Sequence, residues 1–212
     1  ANAHPTRPIS PEDQAKWEVP ALGWVDLSDA DYGVSLLTTH KYGVDVTPNQ
    51  LRLSLLRSPR YPNPHADRGN HYFTYAIYPH AGSWQTAHTV RQAAAFRQPM
   101  QAIALPDSPS NHQQPKPLTP CQTLLKLAGD TLVLMAVKRA EDEPDTLVLR
   151  CHEAYGQRAI LEPRDVEWMG TPASHLQSTD LLEETVNPPS GENGGSRAIA
   201  PWQICTFTLI QT

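Results

Sequence analysis

Basic residues are scarce in this chain: 17 Lys and Arg stand against 22 Asp and Glu among 212 residues, a formal net charge of −5. Nucleic acids and anionic membrane surfaces are held by a positive face, so neither partner is expected and any positive field must be local. Long apolar runs are missing as well. None approaches the ~18 residues needed to cross a bilayer as a helix. The opening ANAHPTRP leads into no apolar h-region and does not read as a secretory signal; so abrupt a start reads as a segment excised from something longer. Cysteine is almost absent. Cys121, Cys151 and Cys205 are odd in number and far apart, and the last two lie in apolar, strand-like runs. They read as buried free thiols rather than a disulfide, which suggests a reducing, cytoplasmic setting. Finally, no Gly-x-Ser-x-Gly elbow, phosphate loop or dinucleotide fingerprint occurs, and nothing marks a nucleophilic cysteine.

What the chain does have is proline, 21 residues of it, with 39% hydrophobic and 18% charged residues. That is the texture of a loop-rich, mostly β protein, long enough for one large or two small domains with a real core. From Trp17 short apolar runs alternate with turn signals at Ser28-Asp29, Tyr32-Gly33, Tyr42-Gly43 and Pro48-Asn49, which suggests an antiparallel sandwich or barrel. In LRLSLLRS, Leu51, Leu53, Leu55 and Arg57 share one face at period two, which sets a charge at the end of a buried stripe. The run from His71 to Gly82 alternates like a strand with aromatics on both faces. One short helix is expected in SWQTAHTVRQAAAFRQP, with Ser83 as its cap and Pro99 beyond its end. Pro106 to Pro120 reads as a linker, so the domains are placed at 1–115 and 116–212. In the second, Gly129-Asp130 and 141–145 look like hairpin turns, 187–201 is a loose stretch, and WQICTFTLI closes the chain as a strand.

The residues with chemistry in reach concentrate between Arg52 and Gly82. His65, Asp67 and His71 in HADRGNH could hold zinc, but the spacing matches no strong metal motif. A tight Asp67-Arg68-Gly69 turn, its ion pairs ordering the loop, is the preferred reading. Glycoside hydrolysis needs two carboxylates flanking the bond that breaks, ~5–10 Å apart. The acidic runs at Asp26, Asp29 and Asp31 and at 141–145 look instead like solvated turns. The aromatics Trp17, Trp24, Tyr61, Tyr72, Tyr75, Tyr78 and Trp84 could stack on sugar rings, though most such residues in a β-sandwich are core.

WVDLSD, DYGVSLL, HKYG, LRLSLLRSP, ADRG and YPHAG occur in order between Arg7 and Pro99. In this the chain closely resembles the C-terminal half of family 38 glycoside hydrolases, the α-mannosidases, in their cytosolic and bacterial branch. Thr38-Thr39 stand where that family usually has Asn-Asp. Residues 121–212 resemble, more weakly, the small β-domain that ends such enzymes. The resemblance implies a segment of a large antiparallel, mutarotase-like supersandwich followed by a smaller β-sandwich. It also implies a retaining hydrolysis of terminal α-D-mannosyl residues, carried out with zinc by an N-terminal catalytic domain that no part of this sequence resembles. Catalytic and metal residues are accordingly expected to be none in this chain, and it should be inactive alone. Its expected partners are that catalytic domain and a mannoside or oligosaccharide; a homo-oligomer is left open. Arg57 is the best candidate to reach the sugar. Asp67, Arg68 and His71 join it as candidate substrate-binding residues; Asp67 and Arg68 shape the neighbouring loop, and His71 and His80 are the weaker candidates. The alternative is a free-standing carbohydrate-binding β-sandwich.

Overall fold

A computed structural model describes residues 3–104, 121–143, 145–186 and 195–210. The expected linker and the 115/116 boundary lie outside the described residues, as does most of the loose stretch at 187–201. Two compact units form, Asn2–Leu105 and Pro106–Thr212.

In the first unit a five-residue helix, α1 (Pro11–Ala15), starts where Ser10 Oγ accepts the Asp13 N–H, with Pro11 in the first turn. Strands β1 (Val19–Pro20), β4 (Gly43–Thr47) and β5 (Gln50–Leu53) make one small antiparallel sheet, closed by the Pro48-Asn49 turn. Strands β2 (Trp24–Ser28), β3 (Tyr32–Thr38) and β6 (Tyr75–Ala81) make another. The β2–β3 turn is shaped by Asp29, whose carboxylate accepts the Asp31 and Tyr32 N–H groups and is held below the usual carboxylate range by them. Tyr32-Gly33, expected as a turn, lies inside β3. β6 begins at Tyr75, so the His71–Thr74 half of the expected strand is loop. Helix α2 (Thr89–Arg97) is shorter than expected. Ser83 caps a preceding turn, its carbonyl receiving Ala87 N–H, and the helix proper starts after a left-handed His88.

Register assigns the two faces of the β2–β3–β6 sheet. Leu27 faces Val34 and Val34 faces Pro79; Val25 faces Leu36 and Leu36 faces Ile77. By alternation these fall on one side, and Trp24, Asp26, Ser35, Leu37 and His80 on the other. Thr89 and Ala93 of α2 are buried, and Thr89 meets Ser35 on that second side.

The second unit holds the continuous apolar core. Strands β13 (His175–Thr179), β15 (Ile204–Ile210), β9 (Leu147–Glu153) and β8 (Leu132–Arg139) form a four-stranded antiparallel sheet in that order. β7 (Leu125–Leu127), β11 (Val166–Trp168) and β12 (Thr171–Pro172) form a second sheet, and β10 (Ala159–Leu161) pairs β14 (Arg197–Ile199). Leu149, Cys151, Leu161, Val166, Leu176 and Phe207 meet in one buried cluster. The 140–146 connection is the expected hairpin turn, closed by Ala140 N–H to the Thr146 carbonyl. Gly129-Asp130 joins strands that do not pair, because β7 takes β11 as its neighbour.

All three cysteines are free thiols. Cys151 and Cys205 sit directly opposite one another on β9 and β15. Glu153 N–H donates to the Gln203 carbonyl, so the alternation of antiparallel ladders makes 151/205 a hydrogen-bonded pair. Its Cα atoms then stand ~5.5 Å apart with the Cβ atoms too far apart for a relaxed disulfide. Burial pushes the Cys151 thiol up to about 12 and the Cys205 thiol to about 11. Glu153 is fully buried, yet its carboxylate accepts N–H groups from Tyr155 (2.8 Å), Gly156 (2.8 Å) and Trp202 (3.0 Å). Burial works to raise its pKa. Those backbone bonds, with one from Gln157, outweigh it and hold the carboxyl below its ordinary value.

Candidate functional site

The site expected on the chain between β5 and β6 is built by a shorter strand than the sequence suggests. β5 stops at Leu53, where Ser54 N–H turns back to the Gly43 carbonyl and its hydroxyl meets the Glu18 carboxylate. Leu55 is therefore exposed, and Arg57 does not end a buried stripe. It lies in solvent with Arg60 and Arg68, and none of the three has an ion-pair or hydrogen-bond partner among the described residues. Three guanidinium groups within twelve residues, all unneutralised, make this loop the local positive field of an acidic chain.

The loop is ordered by main-chain geometry rather than by ion pairs of Arg68. Asp67 takes a left-handed backbone (φ 58°), and its carboxylate accepts the N–H of Ser58, itself left-handed (φ 46°), at 2.9 Å. Asn63 begins a tight turn, its side chain accepting His65 N–H and its carbonyl accepting Ala66 N–H. His71 Nε2 donates to the Asp67 carbonyl at 2.9 Å. Asp67 and His71 are thus brought together, with Arg57 attached to the same brace one residue before Ser58.

Beyond His71 the loop meets the HKYG turn. The His71 ring stacks on Phe73 at 6.0 Å with an interplanar angle of 4°. His40 lies 6.5 Å from the same ring, and Lys41 Nζ sits 4.5 Å from its centroid, within cation–π range. Thr38 and Thr39 set this up: Thr38 Oγ1 accepts Lys41 N–H, and Thr39 Oγ1 lies 2.6 Å from His40 Nδ1. Sequence reasoning missed Phe73, His40 and Lys41. The available signal was an aromatic two residues beyond a candidate histidine, opposite a second His-Lys motif.

Zinc does not fit this loop. The His71 nitrogen and the Asp67 carboxylate are engaged with backbone groups, and among the described residues no three His, Cys, Asp or Glu side chains gather in a metal-binding group.

Asp26 and His80 correct the picture of solvated acidic turns. Both are buried on the helix-facing side of the sheet, His80 Nε2 donating to Asp26 Oδ1 at 2.7 Å. Ser35 Oγ donates to the same oxygen at 2.6 Å, and Ser28 Oγ to the other at 2.6 Å. Because a hydroxyl has one proton, the 3.0 Å contact of Ser35 with Thr89 Oγ1 has Thr89 as donor. The set of residue types is that of a hydrolytic triad, but the geometry is not. Asp26 and Ser35 approach the same imidazole nitrogen, Ser35 is fully buried, and His80 Nδ1 faces no partner among the described residues. The cluster ties β2, β3, β6 and α2 together. Gly33 is required by it, since a Cβ there would stand 2.4 Å from His80 Cε1 and 2.5 Å from Ser28 Cβ.

Two antiparallel β units, the first with its polar heart and cationic loop, define the class: a β-sandwich protein of two units. The family 38 glycosyl hydrolase C-terminal domain matches residues 3–65, and the family's C-terminal beta sandwich domain matches residues 131–207. The chain belongs to glycosyl hydrolase family 38 and corresponds to its C-terminal region. It is 35% identical over 215 aligned residues to mouse alpha-mannosidase 2C1, covering 97% of this chain and 19% of that protein. To alpha-mannosidase G of Dictyostelium discoideum it is 33% identical, with 97% of this chain and 18% of that protein covered. It therefore spans about a fifth of the length of these relatives. A family 38 protein from Enterococcus faecalis shares the fold at a TM-score of 0.70 and 22% identity, over 90% of this chain and 22% of that one.

Proposed function

We propose that this chain is the C-terminal β portion of an α-mannosidase that removes terminal α-D-mannosyl residues by a retaining mechanism. The reaction belongs to an N-terminal catalytic domain, where zinc is expected, and this portion completes the fold and lends Arg57 to the rim of the sugar site. The observation that carries this reading is the exposed Arg57, without an ion-pair or hydrogen-bond partner among the described residues, beside a loop fixed by Asp67 and His71. Its rigid fork of donors suits bidentate contact with a sugar hydroxyl pair or a carboxylate. Arg68 extends the positive field, and a cytoplasmic location goes with the free thiols.

The test is Arg57→Ala in the whole enzyme. It should lower kcat/KM for an aryl α-mannoside tenfold or more, about 1.4 kcal/mol of transition-state stabilisation. Unchanged kinetics with a lowered Tm would make Arg57 structural. A second reading, a free-standing carbohydrate-binding module, draws on Tyr61 and Tyr72, both of which present most of their rings to solvent. Calorimetric titration of the 212-residue chain with mannobiose separates the two, since binding by the chain alone supports only the second.

A further inference from the structure

Residues 54–74, between β5 and β6, hold no helix or strand. Loops beyond ~12–15 residues without secondary structure are uncommon and usually functional, so what fixes this one bears on Arg57. Its hub is Asp67, which uses both polar ends on the loop. The carboxylate takes the Ser58 N–H and the carbonyl takes His71 Nε2–H, each at 2.9 Å. His71 is exposed, and an exposed side chain bonded to the backbone competes with water and gives up rotamer freedom. Such a bond holds a loop only if its donor is held first.

The donor is held. Its ring lies parallel to that of Phe73, 6.0 Å between centroids and 4° between planes, and Phe73 is partly buried where residues 67–72 are all exposed. From the turn between β3 and β4, Lys41 Nζ stands 4.5 Å from the Phe73 centroid and the His40 ring 6.5 Å from it. Thr39 N–H closes on the Thr74 carbonyl beside them at 3.3 Å. That turn thus grips Phe73, Phe73 sets the His71 ring, His71 sets Asp67, and Asp67 sets the backbone one residue beyond Arg57.

Resting on the reading that Arg57 reaches the sugar, we propose that Phe73, His71 and Lys41 are positioning residues for Arg57. They act without touching substrate. They fix the direction from which the guanidinium approaches, so that its fork of donors arrives without first having to be ordered. On this account His71 serves the reaction through Asp67 and Ser58 rather than as a substrate-binding group of its own.

The experiment is a double-mutant cycle in the whole enzyme, read as kcat/KM on an aryl α-mannoside well below the Tm. Phe73→Leu keeps apolar bulk but removes the ring. It should lower kcat/KM at least fivefold when Arg57 is present, and less than twofold in an Arg57→Ala background. Phe73→Tyr, which restores a ring, should recover most of the loss. His71→Ala gives the same cycle at an exposed position if Phe73→Leu folds poorly. Equal losses in both backgrounds overturn the proposal, since residues that contact substrate themselves, or only stabilise the fold, would act independently of Arg57. No loss in either background overturns it as well. Amide exchange of the segment carrying Ser58 separates this failure from failure of the underlying reading, and Phe73→Leu should speed it at least tenfold. Unchanged exchange with a defective Arg57→Ala enzyme ends the positioning role and keeps Arg57 at the sugar. Faster exchange with an unimpaired Arg57→Ala enzyme, or with a whole enzyme that does not hydrolyse the mannoside, removes Arg57 from the sugar and the positioning role with it.

Discussion

Glu153 shows how a single buried charge can be structural. Its carboxylate gathers N–H groups from the 155–157 turn and from Trp202, so it closes a tight corner and fastens the segment before β15. Glu153→Gln leaves an amide that can accept at only one end, and should destabilise the protein by about 1–3 kcal/mol in urea melts. Because the native carboxyl lies below its unfolded value, its contribution is full above the unfolded pKa, ~4.3, and fades as pH falls through the native value. The difference between wild type and variant should therefore shrink on acidification below about pH 4; a gap that widens there would refute the account. Cys151 and Cys205 make a second residue-scale case. Their raised thiols and hydrogen-bonded register predict that an aromatic disulfide reagent at neutral pH titrates Cys121 alone in the native state, and that mild oxidants form no 151–205 bridge. Arg57 was readable as a singular residue from its sequence, but not its exposure. Period two extends only as far as the strand does, and the strand ends at Leu53.

At the scale of elements, the β-rich character, the helix near residue 90 and the closing strand were legible because alternation, an alanine run and proline stops are local signals. Partner choice was not. Nothing local says that β7 joins β11 rather than β8, or that Asp26 points inward while Asp29 stays in its turn. Such facts depend on which residues register brings together. Gly33 is the sharpest case, since it occupies β3 for the sake of a histidine 47 residues later. Gly33→Ala should displace His80, lower Tm by several degrees and loosen α2, visible as faster amide exchange over residues 89–97. If exchange there is unchanged, the ring and the helix are not coupled through this contact.

For the whole molecule, the two units differ in kind. The second holds a contiguous apolar cluster, whereas the first is stitched largely by polar bonds around Asp26. Hydrogen exchange of the chain alone should therefore find the slowest amides in β9 and β15, with β2, β3 and β6 exchanging at lower free energy. Uniform protection would contradict that ranking. The chain alone should also give no turnover of an aryl α-mannoside with zinc present, and measurable turnover would relocate the catalytic groups to these 212 residues.

The Asp26–Ser35–Thr89 relay has one further consequence. Aliphatic contacts let a helix slide or roll over a sheet at small cost, whereas the hydroxyl-to-hydroxyl bond from Thr89 to Ser35 rewards a single azimuth. Rolling α2 by one residue would strand the Thr89 proton in a dry interior, at about 1–3 kcal/mol, while Ser35 kept its bond to Asp26. The relay thus works as an index pin: it fixes where the helix points, and leaves to the aliphatic side of the sheet the task of cohesion.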